Sequence, residues 1–184
     1  DTKFYAPDYE KEDYLLWLAR FHPSKGLDLA LELAEYLGFK LKVAGSLEFR
    51  DHAAYGKEYI ERIKGIKNVE YVELPSDFTH HEVKRKLMQK AKAFLYPVMY
   101  KEAFGMVVTE AMACGTPVIA TGNGAMPELI DHEVNGFICN NKREFAQVIM
   151  ERIPWFEEHR RFHNGFDVWK AAREKAEKFD VSYS

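Results

Sequence analysis

The chain has 184 residues, of which 47% are hydrophobic and 30% charged, and a net charge of −3. That composition is ordinary for a globular protein and leaves room for one domain with a core, not two large ones. It excludes the basic footprint of a nucleic-acid binder, and no apolar run reaches the roughly eighteen residues of a membrane span. Cys114 and Cys139 form neither a CxxC pair nor part of a Cys/His cluster with zinc spacing, so they are expected as free, buried thiols in a reducing cytoplasm. No signal peptide is visible. The opening "DTKFYAPDYEKED" lacks an initiating methionine and is polar and directionless, so residues 1–12 are expected to be a linker at the edge of an excised fragment.

From Asp13 onward the pattern alternates. "DYLLWLAR" (Asp13–Arg20) is an apolar run fit for a buried strand. In "LDLALELAEYLG" the residues Leu27, Ala30, Leu31, Ala34 and Leu37 recur at helical spacing, and Gly38 stops the run. "KLKVAG" (Lys40–Gly45) is a second strand, "YGKEYIERIKG" an amphipathic helix, and "NVEYVE" (Asn68–Glu73) a third strand. "HEVKRKLMQKA" is a charged helix turning Val83, Leu87 and Met88 inward. "AFLYPV" (Ala93–Val98) is a fourth strand, interrupted near its end by Pro97. "FGMVVTEAMAC" is an apolar helix ending at Gly115. "PVIA" (Pro117–Ala120) is a fifth strand, "MPELI" a short helical turn and "GFIC" (Gly136–Cys139) a sixth strand. The remainder is helical, with breaks expected near Pro154 and Gly165.

Strands alternating with helices predict right-handed βαβ units, hence an α/β, doubly wound, Rossmann-like domain. Its sheet is mostly parallel and six-stranded, with helices on both faces. The predicted division is a linker over 1–12, the Rossmann-like domain over 13–150, and C-terminal helices packing on it over 151–184. Ligands of such sheets bind beyond the C-terminal ends of the strands. There the sequence places Arg20 and Lys25, then Gly45 and Ser46, then Leu74 and Pro75. Tyr100, Lys101, Glu102 and Phe104-Gly105 follow the fourth strand, and "TGNGAMPE" follows the fifth.

Several familiar motifs fail. In "TGNGAMP" Pro127 stands where the third glycine of GxGxxG belongs, and the segment follows the fifth strand instead of the first. "HHEVKR" lacks the second histidine of HExxH and reads as a helix start. No Walker A sequence or GxSxG elbow occurs, and Cys114 lies inside a helix without an obvious base.

Two arrangements survive. "ARFHPSKG" puts Arg20 at a strand end and Lys25 five residues later at the start of a helix. Two cations beside helix N–H groups suit a diphosphate, while the plainer reading is a solvated lysine and an arginine paired with some acid. In "YKEAFGMVVTEAMAC", Glu102 falls in a loop, Gly105 lets a ligand approach the backbone, and Glu110 sits on the second helical turn, sharing a face with Met106. A carboxylate within so apolar a helix needs a partner. That partner is either a pair of hydroxyls, as on a ribose, or a lysine or arginine from elsewhere in the fold. For Glu102 the plainer reading is solvent exposure.

E-x7-E with FG after the first glutamate, followed by "EAMACGTPVIAT", "PELI" and "NGF" and preceded by "ARFHPSKGLDLALELAE", resembles the retaining glycosyltransferases of the GT-B type, family 4 (group 1). The resemblance covers about Tyr14 to Met150, in the family's order and spacing. It implies two Rossmann-like domains facing a cleft, this chain matching the C-terminal one, which holds the nucleotide-sugar donor. By position, Arg20 and Lys25 would hold the diphosphate and stabilise the leaving nucleotide. Glu110 would bind the ribose, and this is preferred to an internal salt bridge. Glu102 would contact the donor sugar without being assigned as a nucleophile. Phe104, Gly105 and Met106 would contact sugar and phosphate through the backbone, and Gly45 and Leu74 would lie near the base. The resemblance implies no metal and no cofactor; a UDP-sugar donor is favoured over GDP- or ADP-sugars. The implied partner is an N-terminal acceptor domain of the same protein, through which alone any peripheral membrane association would arise. Nucleic acid is not a partner.

The sequence departs from the family's pattern at Ala19, where glycine is common, at Ala103, where proline is frequent, and at Ser46-Leu47, where a second glycine is frequent. Three other readings compete. A nucleotide-sugar-binding module without turnover is compatible with the same residues. A GT-B-type epimerase would need further acids and histidines. A flavodoxin-like or response-regulator domain would need an acidic pocket where Arg20 stands.

Overall fold

The computed structural model describes residues 1–47, 53–75, 79–159 and 167–179. Among these, six strands form one sheet: β1 (Leu15–Leu18), β2 (Leu41–Gly45), β3 (Val69–Glu73), β4 (Ala93–Tyr96), β5 (Val118–Ala120) and β6 (Gly136–Ile138). All pair in parallel, in the order β3-β2-β1-β4-β5-β6. The chain builds outward from β1 on one side, then crosses back so that β4 lies against β1's other edge, with Leu15 opposite both Leu41 and Ala93. This reversal leaves a crevice between the C-terminal ends of β1 and β4.

β1 is apolar at every position because both faces of the sheet are covered. Leu15 and Trp17 join Leu41, Val43, Ala93 and Leu95 in one core layer, whereas Leu16 and Leu18 join Ala44, Phe94 and Tyr96 in the other. The first layer is closed by α1 (Leu27–Leu37), α2 (Ala53–Lys64) and α6 (Lys142–Gln147), which contribute Leu31, Ile63 and Phe145. The second is closed by α3 (His80–Lys90) and α4 (Met106–Ala113), through Leu87, Met88, Val108 and Met112. The short α5 (Met126–Leu129) follows β5. α8 (Val168–Glu177) spans the seam between the layers: Trp169 enters the first and Ala172 and Ala176 the second. Both cysteines are free and buried, and burial pushes each thiol up to about 12.

Each strand expected from the sequence is present, generally a residue or two shorter at its ends. Two details differ in substance. Lys25 ends a 3-10 turn (Pro23–Lys25) instead of opening α1. Gly26, at φ 71°, separates the two, and a Cβ there would stand 1.9 Å from the carbonyl oxygen of Pro97, so the turn needs glycine. Near Pro154 the helix does not stop. A π-helical turn (Val148–Arg152) feeds α7 (Ile153–His159), and Pro154, which brings no N–H to the continuing ladder, falls just after that wider turn. The break expected at Gly165 lies outside the described residues.

The first twelve residues, expected as a linker, carry no helix or strand and are packed on the domain. Tyr5 is buried, the Asp8 N–H donates to the Cys114 carbonyl, and Arg173 Nη1 donates to the carbonyls of Thr2, Tyr5 and Ala113. Among the described residues no helix is long and apolar enough to cross a membrane.

Candidate functional site

A cleft of about 500 Å³ opens at the crevice. Its floor is Leu18 and Tyr96, the last residues of β1 and β4. Ala19, Arg20 and Lys25 line it after β1, Gly45 and Ser46 after β2, and Leu74 and Pro75 after β3. α3 contributes His80 and Lys84, and the first turns of α4 contribute Met106, Val107 and Glu110.

Of the residues singled out from the sequence, Arg20, Lys25, Gly45, Leu74, Met106 and Glu110 therefore share one wall-to-wall space. Glu102, Phe104 and Gly105 are not part of its lining. Phe104 turns half its surface to solvent. Gly105 is the left-handed cap of α4 at φ 80°, packed against Met126 and close to the Glu102 side chain. Glu102 joins the site through Lys25.

That junction is a compact polar network. Lys25 Nζ donates to the hydroxyl of Tyr96 at 3.1 Å, to Glu102 Oε2 at 3.3 Å and to the hydroxyl of Tyr100. Both phenols in turn donate to Glu102 Oε2, Tyr96 at 2.6 Å. Partial burial opposes ionisation of Glu102, but the Tyr100 and Tyr96 hydroxyls and the Lys25 ammonium outweigh it and hold the carboxyl below the usual range. Burial, then the bond to Glu102, pushes the Tyr96 phenol well above its usual range. The Lys25 turn is fixed from behind: Trp17 Nε1 donates to the Lys25 carbonyl at 3.2 Å and the Met99 N–H to the Ser24 carbonyl at 2.8 Å.

At the other side of the cleft Lys84 Nζ lies 2.6 Å from Glu110 Oε2. The expectation for Glu110 set ribose hydroxyls above an internal ion pair. The structure contains the ion pair, and the Glu110 side chain is 20% exposed where it lines the cleft. Nearby, the buried Tyr5 hydroxyl faces the Glu110 carboxylate without reaching good hydrogen-bond geometry with any of the described residues. Burial first, and the Glu110 charge second, hold that phenol far above its usual range. Arg20 is exposed and has no ion pair among the described residues.

Gly45 has a packing reason of its own, since a Cβ would press on the Phe21 ring at 2.8 Å. Its carbonyl accepts from the Leu74 N–H at 2.9 Å and from the Tyr71 hydroxyl at 3.1 Å. The "TGNG" loop, discounted above as a dinucleotide motif, braces Glu102. The Ala125 N–H donates to the Glu102 carbonyl at 2.8 Å, and Asn123 Nδ2 to the Val98 carbonyl at 2.8 Å. Sequence reasoning missed Tyr96 and Lys84, and it placed Tyr100 on the ligand edge without giving it a role. The available signal was position: Tyr96 ends a strand on the ligand side, and Lys84 lies one helical turn beyond His80 on α3.

The strand order and the cleft at its switch point define a doubly wound domain built as one half of a GT-B fold. The sequence profile described as "Glycosyl transferases group 1" matches residues 2–174, and the chain belongs to that family. An uncharacterized glycosyltransferase of Methanocaldococcus jannaschii is 30% identical over 180 residues, 96% of this chain and 46% of the relative. The C-terminal domain of the group 1 glycosyl transferase LpcC of Francisella tularensis superposes with a TM-score of 0.75 at 20% identity, covering 99% of each chain. HepE of Anabaena, solved in complex with UDP, superposes with a TM-score of 0.75 at 21% identity, covering 97% of this chain and 50% of that one. The chain thus spans about half the length of such full-length relatives.

Proposed function

We propose that this chain is the donor-binding domain of a retaining, metal-independent, family 4 hexosyltransferase that moves a sugar from a nucleoside-diphosphate sugar to an acceptor. The observation that carries the reading is the meeting of Arg20, Lys25, the open end of α4 and Glu110 around one cleft. The Met106 and Val107 N–H groups belong to the first turn of α4, where no intrahelical acceptor exists, and they point the positive end of the helix at the cleft.

In this reading Arg20 and Lys25 bind the diphosphate. As the bond from the anomeric carbon to the phosphate oxygen breaks, they stabilise the charge gathering on the leaving group. The acceptor oxygen forms its bond to the same face of the oxocarbenium-like carbon as its proton passes to the departing phosphate oxygen, which keeps the anomeric configuration. Glu102 hydrogen-bonds a hydroxyl of the transferred sugar, Glu110 accepts from the ribose, and Gly45 and Leu74 border the base. UDP is the favoured nucleotide, supported by the UDP carried by the Anabaena neighbour. The acceptor would be held by an N-terminal domain of the full-length protein, so the chain alone binds donor without turnover. A cytoplasmic setting suits the two free, buried thiols.

Calorimetric titration with UDP, GDP, ADP and their glucose or mannose conjugates tests this. Saturable binding of one nucleoside diphosphate is expected, and absence of binding by every one of them overturns the reading.

A further inference from the structure

Tyr96 and Tyr100 make the same pair of bonds. Each hydroxyl accepts from Lys25 Nζ and donates to Glu102 Oε2. An ammonium has three protons. In this structure the two phenols and Glu102 take all three, so Lys25 has none left for a phosphate oxygen. Glu102 Oε2 is similarly crowded, with three partners on one oxygen. The arrangement is complete without a ligand.

The two phenols differ in how firmly they are held. Tyr96 is the last residue of β4, 1% exposed, with its ring in the core layer beside Phe94. It cannot leave without opening the sheet. Tyr100 stands on the loop between β4 and α4, half-buried, between the exposed Met99 and Lys101. Its ring rests on the outside of the second core layer instead of within it, and the backbone before it is tied down by the Met99–Ser24 bond, so a side-chain rotation would withdraw its hydroxyl without moving the loop. A hydroxyl that accepts from a cation and donates to a carboxylate does what a donor's oxygens would do there.

We propose that Tyr100 is an internal stand-in for the donor: it occupies Lys25 and Glu102 in the empty site and is displaced when a nucleoside-diphosphate sugar arrives. Tyr96 is the permanent member, a positioning residue that keeps Lys25 and Glu102 together in both states. The inference rests on the donor-binding reading above and adds a residue that sets its affinity.

The sign of one substitution decides it. A residue that merely supports the site weakens binding when its hydroxyl is removed, whereas a stand-in strengthens it. Titration of UDP-glucose and GDP-mannose into wild-type chain and Tyr100→Phe is expected to show about tenfold tighter binding by the variant, the worth of hydrogen bonds to charged groups no longer surrendered. Tyr96→Phe should bind more weakly than wild type. Equal or weaker binding by a folded Tyr100→Phe, with wild type binding normally, overturns the stand-in and leaves the donor reading intact. Failure of both sugars to bind wild type and variant alike overturns the donor reading, and the stand-in with it.

Discussion

Lys84 and Glu110 form an ion pair at 2.6 Å across the wall of the cleft, with 14% and 20% of their side chains exposed. It explains how "MVVTEAMAC" can carry a carboxylate in an otherwise apolar helix: α3 supplies a cation at the turn of α4 where Glu110 emerges. It also changes the charge a ligand meets. Glu102 is matched by Lys25 and Glu110 by Lys84, which offsets the repulsion either acid would exert on an incoming diphosphate, and Arg20 adds positive charge with no carboxylate paired to it among the described residues. The pair does not compete with a ribose at Glu110, because a carboxylate accepts several hydrogen bonds at once.

Removing either member should then have different effects. Glu110→Ala is expected to weaken nucleoside-diphosphate binding about tenfold while the domain stays folded, since the residue is only partly buried and Lys84 can turn to water. Lys84→Met should weaken binding too, through an uncompensated carboxylate, and also lower stability by ~1–3 kcal/mol. Calorimetry and thermal melts of both variants check this. A folded Glu110→Ala with unchanged affinity sinks the ribose role.

Arg20→Ala addresses the phosphate end. The side chain is exposed and without an ion pair among the described residues, so stability should change by no more than about 0.5 kcal/mol. Affinity for the diphosphate should fall by about tenfold or more, and affinity for the nucleoside by much less, with the difference shrinking as salt is raised. Equal losses for nucleoside and diphosphate would remove Arg20 from the phosphate role.

The sheet was legible because its code is local. Short runs of strand-forming residues between helical repeats mark the six strands, and the end to which parallel strands point is the edge where a ligand sits; the order in which the strands pair was not read, because it depends on contacts between distant segments. Arg20 and Glu110 could be placed because strand ends and helix starts are readable, whereas Lys25 fell on the right edge but in a 3-10 turn ahead of the helix it was expected to open. The Tyr96–Tyr100–Lys25–Glu102 network could not be read, because it joins side chains up to 77 positions apart. Lys84 was hidden for a similar reason: α3 is a charged helix, and periodicity alone does not tell which of its lysines faces another element. The linker expected over 1–12 lacks any periodic signal, yet Arg173, far along the chain, gathers three backbone carbonyls around it.

Gly124 gives a prediction of a different kind. Its φ is +63°, and a Cβ there would stand 2.1 Å from the Glu102 carbonyl oxygen and 2.4 Å from the Glu102 nitrogen. Backbone cannot yield as a flexible side chain does, so Gly124→Ala must push apart the loops after β4 and β5. We expect a loss of ~1–3 kcal/mol in stability, together with weakened binding of nucleotide sugars beyond the loss for the bare nucleoside diphosphate, because Glu102 is what moves. Gly38 is the control: its φ is +76° but a Cβ there meets nothing within 4 Å, so Gly38→Ala carries the backbone strain without the collision. Equal melting temperatures for the two variants would count against the bracing role.

Acid should dissolve the Lys25–Glu102 network in a defined window. Glu102 is held below the ordinary carboxylate range by two phenols and an ammonium, despite the opposing effect of burial. A carboxyl whose folded-state value is depressed binds its proton more readily in the unfolded chain. Its contribution to stability is therefore complete above the unfolded value, about pH 4.3 for a glutamate. It declines as pH falls through that value and is gone only below the folded one. Glu102→Gln keeps the shape and removes the charge, so the stability gap between wild type and variant isolates this term. Urea unfolding of both proteins from pH 7 downward should give a constant gap to about pH 5 and a narrowing gap below it. A gap that stays flat to pH 3, or that begins to close near neutrality, would mean that Glu102 is not the ionised centre of this network.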